Sequence, residues 1–445
     1  MKPQPSARTS ATVAPDDATR LRVLVIAELA NPDWVSVPLV GWSHFQALAR
    51  RVDAHLATQI RNRENILKTG LSPDQLTAID TRRIERLTDK LLHLLRAGMV
   101  GTTATALSVL AYYEFERRLW RTFGARIRRG EFDVVHRLTP LSPTVPSIIA
   151  ARCAKAGVPF VIGPLNGGLR WAPEFDHVRR STREWLSYVR EAYKLLPGQR
   201  DTLRHASAII CGSRDTREQI PAPYQQKTVY YPENAIDPSR FDRRVTGAAG
   251  NPVRVAFVGR LVPLKGCDML IEAAAPLVRA GRLALDIIGD GPQMPDLRTL
   301  AERDGLGAGI FAGWVPHAEL QHRLTQSDVF AFPSIHDFGG AVVLEAMALG
   351  LVPVVVAYGG PGELVSPATG VAIPMGSREE IVARLRGALE TLVARPESIR
   401  AMGERARERV LSHFTWEAKA AQTLEVYRWV RGERSKPDFG MPISD

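Results

Sequence analysis

The stretch Val253-Arg-Val-Ala-Phe-Val-Gly259-Arg-Leu-Val-Pro-Leu-Lys265-Gly266 decides the predicted fold. Its opening apolar, β-branched run is typical of a buried parallel strand. The loop that follows carries Arg260 and Lys265, and a helical pattern begins after Gly266. Backbone amides at a helix start and two cationic side chains together neutralise a diphosphate well. We therefore predict a strand, an anion-binding loop and a helix in that order.

Comparable strand runs alternate with helical patterns along the rest of the chain, which predicts two parallel α/β domains. The runs begin at Arg22, Asp133, Pro159, Ala208 and Val229 in the first half, and at Leu285, Ile310, Val329 and Pro353 in the second. Residues 241–252 are arginine-rich and then rich in Gly and Ala, as in a linker. We predict a tail at 1–20, domains at 21–240 and 253–413, and a second tail at 433–445.

Composition excludes several classes of protein. The 445 residues are 45% apolar and 24% charged, so the chain is neither low-complexity nor disordered. Three widely spaced cysteines form neither a disulfide framework nor a paired-cysteine metal site. The first twenty residues contain no apolar block of a signal peptide, and no apolar run is long enough to span a membrane. We expect a cytoplasmic protein.

The net charge of +11 is concentrated in the first half of the chain. Residues 1–250 carry 37 basic and 24 acidic side chains, whereas residues 251–445 carry 21 and 23. This asymmetry indicates an anionic partner, which is a nucleic acid, an acidic membrane surface or a polyphosphate substrate. The aromatic residues of the basic stretches lie among aliphatic ones and match no nucleic-acid-binding module, so we expect no nucleic acid.

An uncharged segment, Ala97–Tyr113, lies inside the basic half. Its length and composition favour a buried or partly buried helix, with packing at a membrane interface as the alternative. Basic residues flank it, as on helices that contact anionic lipid. They are Arg82, Arg83, Arg86, Lys90, Arg96, Arg117, Arg118, Arg121, Arg126, Arg128 and Arg129, and a second basic cluster comprises Arg179, Arg180, Arg183, Arg190 and Lys194.

Two carboxylates border a glycine pair in Asp337-Phe-Gly-Gly-Ala-Val-Val-Leu-Glu345. If residues 338–340 form a turn and a helix follows, Asp337 and Glu345 border one pocket. Carboxylates accept hydrogen bonds from hydroxyl groups, and free amides at a helix start attract anions, which suits a polyol attached to phosphate. A capping acid and a surface glutamate remain the alternative. Gly289-Asp-Gly-Pro292 and Phe311-Ala-Gly-Trp-Val315-Pro316 are weaker signals of close backbone approach to a ligand.

Taken together, these motifs make the second lobe resemble the retaining nucleotide-sugar glycosyltransferases of family 4. The resemblance covers residues 253 to about 365, including Gly359-Gly-Pro-Gly-Glu363. It implies an α/β protein of the GT-B fold, with two facing Rossmann-like domains, an interdomain cleft, and a C-terminal helix at 414–432 that crosses back towards the N-terminal domain. The family usually has Glu where this chain has Asp337, which is shorter by one methylene.

The resemblance also implies roles for individual residues. Arg260 and Lys265 would hold the donor diphosphate, Glu345 the ribose, and Val315 the nucleobase through its backbone. Asp337 would contact the transferred sugar. The rest of the implied donor site comprises Gly259, Gly289, Gly291, Phe338, Gly339, Gly340 and Leu344.

The first lobe resembles the acceptor side of the same family more loosely. Gly41, in Pro38-Leu-Val-Gly-Trp42, would approach the donor phosphate, and His136 would contact the donor sugar as a fourth catalytic residue beside Arg260, Lys265 and Asp337. Asn166 and Arg170 in the next glycine-rich loop are available for hydrogen bonds to an acceptor. We assign no metal site and no cofactor, because basic side chains can replace a metal at the diphosphate.

We therefore predict a metal-independent retaining glycosyltransferase. Its donor would be a UDP-, GDP- or ADP-linked sugar and its acceptor a lipid-linked glycan of polysaccharide or cell-envelope assembly, met at an anionic membrane surface. A nucleotide-sugar epimerase or hydrolase of the same fold is one alternative. A binding protein with a vestigial donor cleft is the other.

Overall fold

The computed structural model describes residues 20–84, 86, 102–181, 196–241 and 243–440. Two α/β domains are present in them, each built on a parallel sheet, in agreement with the alternating strand and helix patterns of the sequence. The N-terminal sheet consists of β1 Arg22–Ala27, β2 Asp53–Gln59, β3 Leu76–Ile79, β4 Val134–Thr139, β5 Phe160–Leu165, β6 Ala208–Cys211 and β7 Thr228–Tyr230.

The strand order of the N-terminal sheet is β3-β2-β1-β4-β5-β6-β7 among the described residues. All neighbouring strands are parallel, so each connection must cross back over the sheet. The α-helices described in this domain are α1 Val37–Ala49, α2 Arg63–Lys68, α3 Thr102–Arg128, α4 Ile149–Lys155, α5 Asp176–Ser181, α6 Gln199–His205 and α7 Arg214–Gln219.

The C-terminal sheet is assembled in the same way. Its described strands are β8 Val253–Val258, β9 Leu283–Ile288, β10 Phe311–Gly313, β11 Val329–Phe332, β12 Val352–Val356 and β13 Val371–Ile373. They pair in the order β10-β9-β8-β11-β12-β13, all parallel. Its helices are α8 Cys267–Arg279, α9 Met294–Arg303, α10 His317–Leu324, α11 Ala341–Ala348, α12 Gly359–Leu364, α13 Arg378–Ala394 and α14 Pro396–His413.

A further helix, α15 Trp416–Val430, returns from the C-terminal domain and packs against α1 of the N-terminal domain. Its buried residues Val426 and Tyr427 belong to the core on one side of the N-terminal sheet. The Thr415 side chain caps the helix by accepting a hydrogen bond from the Ala418 amide at 3.1 Å. The N-terminal domain is thus completed by residues from the opposite end of the chain.

Part of the uncharged segment Ala97–Tyr113 lies in α3. Val109 and Tyr112 are buried there and Leu110 is exposed, which agrees with a partly buried helix for the described portion. Residues 97–101 lie outside the described residues, and so do Lys90 and Arg96, Arg183, Arg190 and Lys194, and residues 1–19 and 441–445 of the two predicted tails. Within the described ranges, no helix has both the length and the apolar character needed to cross a membrane.

Candidate functional site

The C-terminal sheet reverses its order between β8 and β11, so the chain leaves these two adjacent strands in opposite directions. Parallel sheets bind ligands in the crevice that such a reversal opens at the carboxyl ends of the strands. The loop after β8 carries Arg260 and Lys265, and the loop after β11 carries Asp337. The two sequence motifs with the strongest chemical signal therefore border the same crevice.

The loop after β8 ends in a short 3₁₀ turn, Pro263–Lys265, followed by Gly266 at the start of α8. Gly266 has φ 69°, and a Cβ atom there would lie 2.3 Å from the Pro333 carbonyl oxygen. Only glycine fits both constraints. The Arg260 side chain is exposed, whereas Lys265 is partly buried.

Gly289 and Gly291 allow two loops to pack closely. A Cβ atom on Gly289 would lie 2.0 Å from the Gly259 carbonyl oxygen, and one on Gly291 would lie 2.3 Å from the Leu261 carbonyl oxygen. Backbone hydrogen bonds join the same loops, from the Leu261 amide to the Asp290 carbonyl at 2.9 Å. These two glycines therefore let their loop pack directly against the backbone of the loop that carries Arg260. Their predicted contact with the donor stays a prediction.

Asp337 closes the turn before helix α11 and binds Lys265. One carboxylate oxygen accepts hydrogen bonds from the Gly339 and Gly340 amides at 3.2 and 2.9 Å. The other oxygen accepts a hydrogen bond from the Lys265 ammonium group. Gly340 has φ 62°, which lets the chain turn sharply into the helix. The shorter Asp, in place of the family's usual Glu, reaches both partners.

The Lys265 ammonium also lies 5.1 Å from the centroid of the Phe332 ring. Its side chain is 21% exposed and that of Asp337 is 16% exposed, so the ion pair is shielded from much of the solvent. Shielding of this degree strengthens the attraction between a cation and an anionic ligand. Lys265 is therefore held at the crevice, with its orientation fixed by Asp337 and Phe332.

The remaining predicted donor residues differ in their accessibility. Glu345 is half-buried on α11 and Val315 is half-buried after β10, so both stay candidates for donor contacts. The predicted donor contact of Leu344 is wrong for its side chain, which is 1% exposed in the domain core. Helical periodicity turns Leu344 inwards when Glu345 faces outwards.

The loop between β11 and α11, residues 333–340, is called the donor loop below. Two contacts join it to the N-terminal domain. The Asn166 side-chain amide donates a hydrogen bond to the Phe338 carbonyl at 3.1 Å. The Trp171 ring stacks on the His336 ring, with centroids 4.2 Å apart and an interplanar angle of 11°. Asn166, predicted to bind an acceptor, therefore also fixes the backbone of the loop that carries Asp337.

The next interdomain contacts involve Glu363 and Tyr358. The Glu363 carboxylate accepts hydrogen bonds from the Tyr230 hydroxyl at 2.5 Å and from the Arg214 amide at 2.9 Å, and its burial raises its pKa. The Tyr358 hydroxyl donates to the Arg170 carbonyl. The guanidinium group of Arg170 is largely exposed, with its Nε 3.7 Å from an Asp215 carboxylate oxygen, so it remains available to an acceptor.

Glu233 is a residue of the site that the sequence analysis missed. It follows β7 on the connection between the domains, is 8% exposed, and lies beside the donor loop. Desolvation and the neighbouring charge of Asp337 raise the pKa of its carboxyl to about 7, against the opposing effect of a hydrogen bond from Asn166. The available signal was an acid immediately after the carboxyl end of a strand at the domain junction.

His136 is not a donor contact, and this prediction is corrected. Its ring is 0% exposed, with Nδ1 2.6 Å from the Tyr427 hydroxyl and Nε2 2.7 Å from the Gly163 carbonyl oxygen. Desolvation is the main cause that lowers its pKa to about 4, so the ring is neutral. Both ring nitrogens are occupied in the interior between the sheet and α15.

Gly41 is also not part of a phosphate-binding loop. It lies inside α1 and is buried, and a Cβ atom there would be 2.2 Å from the Leu29 carbonyl oxygen. The residue is glycine because the helix passes directly over the chain that leaves β1. Its predicted approach to the donor phosphate is therefore corrected to a packing role.

Residues 238–409 match the family model of glycosyl transferases group 1. These residues form a group 1 glycosyl transferase domain. The family resemblance of the second lobe is thereby confirmed, and the matched range contains Arg260, Lys265, Asp337 and Glu345.

Two relatives are similar to the chain in sequence. Alpha-maltose-1-phosphate synthase of Mycolicibacterium smegmatis is 31% identical over 253 residues, which are 52% of this chain and 65% of the relative. The putative colanic acid biosynthesis glycosyltransferase WcaL of Salmonella typhimurium is 29% identical over 289 residues, 62% of this chain and 69% of the relative. The chain thus matches about two thirds of the length of these relatives.

The structure of the whole chain is similar to that of HepE of Anabaena, which was solved in complex with UDP. The TM-score is 0.57 and the identity 18%, with 91% of this chain and 99% of HepE covered. At this identity the likeness establishes the fold. The group 1 glycosyl transferase domain and its N-terminal partner therefore form a GT-B fold of two Rossmann-like domains.

Proposed function

We propose that the protein is a glycosyltransferase that moves a sugar from a nucleoside diphosphate to a hydroxyl acceptor, with retention of the anomeric configuration. The observation that carries this proposal is the Lys265–Asp337 ion pair at the crevice between β8 and β11. It joins a cation suited to a diphosphate with a carboxylate suited to hydroxyl groups, and the N-terminus of α11 adds its positive dipole.

The reaction divides into bond breaking and bond formation. The bond from the anomeric carbon to the diphosphate oxygen breaks, and its electron pair leaves with the diphosphate. Arg260 and Lys265 stabilise the charge that develops on this leaving group, an effect that typically contributes 10²–10³-fold to kcat per donor group. The acceptor oxygen bonds to the same face of the sugar, and its proton passes to a leaving phosphate oxygen.

The donor is a UDP-, GDP- or ADP-linked sugar in this proposal. HepE, of the same fold, was solved with UDP, which favours UDP as the first nucleotide to test. Glu345 would accept hydrogen bonds from the ribose, and the Val315 backbone would face the base. No metal or cofactor is assigned, because Arg260 and Lys265 supply positive charge at the diphosphate themselves.

The acceptor is proposed to be a lipid-linked glycan of polysaccharide or cell-envelope assembly, reached from the cytoplasmic side. The excess of basic side chains in residues 1–250 supports contact with an anionic lipid surface. The putative role of WcaL in colanic acid biosynthesis supports a polysaccharide product. Arg170, with its exposed guanidinium group, is the candidate acceptor contact in the N-terminal domain.

The first experiment is thermal stabilisation by UDP, GDP, ADP and their common sugar conjugates. Ligands that bind the folded state raise its apparent stability, and the gain increases with the logarithm of ligand concentration over Kd. We expect one nucleotide to stabilise the wild type and to lose this effect in Arg260→Ala/Lys265→Ala. Absence of any shift in the wild type would contradict donor binding and favour a binding protein.

Incubation of the stabilising sugar nucleotide with and without a lipid-linked acceptor separates transfer from epimerisation and hydrolysis. A transferase consumes the donor only when the acceptor is present, whereas the other two enzymes consume it alone. The anomeric proton coupling in the product reports whether configuration is retained. Inversion would contradict the proposed mechanism and leave donor binding intact.

A further inference from the structure

The carboxyl group of Glu233 has no function in the reaction as derived so far. It lies on the connection from β7 to the C-terminal domain, and its Oε2 atom is buried without a hydrogen-bond partner among the described residues. Buried carboxylate oxygens nearly always have a donor, because an unsatisfied one is costly. The ligand-free protein therefore contains a hydrogen-bond acceptor for which it supplies no donor.

The surroundings of Glu233 belong to both domains. On the N-terminal side, Glu233 and Asn166 both pack against Gly212. A Cβ atom on Gly212 would lie 3.1 Å from the Cβ atom of Glu233 and 3.2 Å from that of Asn166. On the C-terminal side lies the donor loop, where a Cβ atom on Gly339 would be 2.8 Å from Glu233 Oε1 and 2.0 Å from Asn234 Nδ2. Because Gly339 has no side chain, the Glu233 carboxyl group can pack directly against the loop that contains Asp337.

The charges near Glu233 restrict the chemistry of the missing donor. The titratable group that acts on its carboxyl is Asp337, whose own charge is balanced by Lys265. A second carboxylate beside Asp337 repels a phosphate group, so the diphosphate is not the partner. A neutral hydroxyl group donates a hydrogen bond to a carboxylate at no electrostatic cost.

We propose that Glu233 is a specificity-determining residue that accepts a hydrogen bond from a hydroxyl group of the sugar bound at the donor loop. The inference rests on the proposed function, since it needs a sugar nucleotide in the crevice. Asn166 donates a hydrogen bond that orients the carboxyl group, Asn234 lies beside it at Gly339, and Asp337 anchors the loop from the other side. The nucleotide part of the donor is held by other residues.

This assignment has a consequence for the pH dependence of binding. The carboxyl of Glu233 has a pKa of about 7 in the ligand-free protein, mainly because it is desolvated. A hydroxyl that donates to the carboxylate favours the ionised form, so binding of the sugar lowers this pKa. The affinity for the sugar nucleotide, whose esterified diphosphate does not titrate in this range, therefore increases between pH 6 and pH 8.

The test is calorimetric titration of the full-length protein with UDP and with UDP-glucose, or with GDP and GDP-mannose or ADP and ADP-glucose if the wild type selects those. The wild type, Glu233→Gln and Glu218→Gln are compared at pH 6 and pH 8. Glu218 is an exposed glutamate in α7, so its variant controls for the loss of one charge. Glu233→Asp, which keeps the charge, serves as a second variant.

We expect Glu233→Gln to bind the free nucleotide within about twofold of the wild type and the sugar nucleotide about tenfold or more weakly. An increase in the affinity for the sugar nucleotide between pH 6 and pH 8 is expected in the wild type and in Glu218→Gln, and is lost in Glu233→Gln. The affinity ratio is not used for pH, because the terminal phosphate of the free nucleotide itself ionises at about pH 6. The wild-type titration with the sugar nucleotide needs no variant, so it tests the proposal even if both Glu233 variants fail to fold.

Three results would overturn the proposal. They are equal weakening of nucleotide and sugar nucleotide in Glu233→Gln, unchanged binding of the sugar nucleotide in that variant, and a pH-independent affinity of the wild type for the sugar nucleotide. Each leaves the proposed function intact. A wild type that binds none of the six nucleotides removes the proposed function, and the role of Glu233 falls with it.

Discussion

Lys265 and Asp337, 72 residues apart in sequence, form an ion pair at the crevice of the C-terminal domain. The same aspartate accepts hydrogen bonds from the Gly339 and Gly340 amides in the turn before α11, so one carboxylate fixes both the cation and this turn. A diphosphate that enters the crevice meets a lysine already oriented. Preorganisation of this kind lowers the cost of ordering charged groups during the reaction.

Lys265→Ala should lower kcat by about 10²–10³-fold, because the leaving diphosphate loses one of its two cations. Thermal stability should fall moderately, because the partly buried Asp337 carboxylate loses its cation but keeps its two backbone donors. Initial rates with the selected sugar nucleotide and a thermal melt measure the two effects. Lys155→Ala, at an exposed lysine of α4, is the control and should match the wild type. A wild-type rate in Lys265→Ala would contradict its role.

Asp337→Ala should lower stability as well as activity. The variant removes the two hydrogen bonds that close the turn before α11, which costs about 1 kcal/mol, and frees Lys265 from its fixed position. Chemical denaturation and initial rates measure the two losses separately. Asp337→Asn keeps the size of the side chain and an oxygen that accepts from the turn amides, so it should recover stability but not rate. Equal rates in Asp337→Asn and the wild type would show that the charge is dispensable.

Glu345→Ala should raise the KM for the sugar nucleotide about tenfold or more, because a charged hydrogen bond to the ribose is removed. Steady-state kinetics with the donor as varied substrate measure this change. Glu390→Ala, at an exposed glutamate of α13, is the matched control. A Glu345→Ala enzyme whose KM and kcat both equal those of the wild type would exclude Glu345 from the donor site.

The contribution of Glu233 to the stability of the protein should fall as the pH rises from 5 to 8, and Glu233→Gln should remove this contribution. The pKa of the Glu233 carboxyl is raised to about 7 in the folded state, mainly by desolvation, so the folded state binds more protons than the unfolded state below pH 7. The stability gain of Glu233→Gln should therefore grow by about 3 kcal/mol from pH 5 to pH 8. Urea denaturation at both pH values measures it, and a pH-independent difference would contradict the prediction.

Lys419→Met should have the opposite pH dependence. Lys419 is fully buried on α15, its Nζ lies 5.0 Å from the Tyr231 ring centroid, and desolvation lowers its pKa to about 7. The unfolded state therefore binds more protons between pH 7 and pH 10, and wild-type stability rises over that range. The variant should gain a few kcal/mol at pH 6.5 and progressively less at pH 9.5. Equal gains at both pH values would show that Lys419 does not titrate in the folded protein.

The sequence was sufficient to predict two parallel sheets and ten of the thirteen described strands, whereas β2, β3 and β13 were missed. A parallel strand followed by a glycine-bounded loop has a local pattern, and the carboxyl ends of neighbouring strands meet by the rules of the fold. Arg260, Lys265 and Asp337 were found for this reason. Their mutual ion pair was not predicted, because it depends on how two separate loops fold over the same crevice.

The wrong assignments concern the direction of side chains and not the location of elements. His136 does lie in a strand at the predicted position, but its partner Tyr427 is 291 residues away and no local pattern reveals it. Gly41 resembles a loop glycine in sequence, yet α1 already includes it. Glu233 was missed because burial of an acid depends on long-range packing between two domains.

The helix α15 has a consequence for protein engineering. His44 and Tyr231 of the N-terminal domain bond to Thr423 at 2.9 and 2.8 Å, and His136 bonds to Tyr427, so these buried polar groups depend on α15. A chimera that joins residues 21–240 to another C-terminal domain without α15 would leave His44, Tyr231 and His136 without these partners, at an uncovered apolar face. Any transplant of this N-terminal domain must therefore carry residues 416–430 with it.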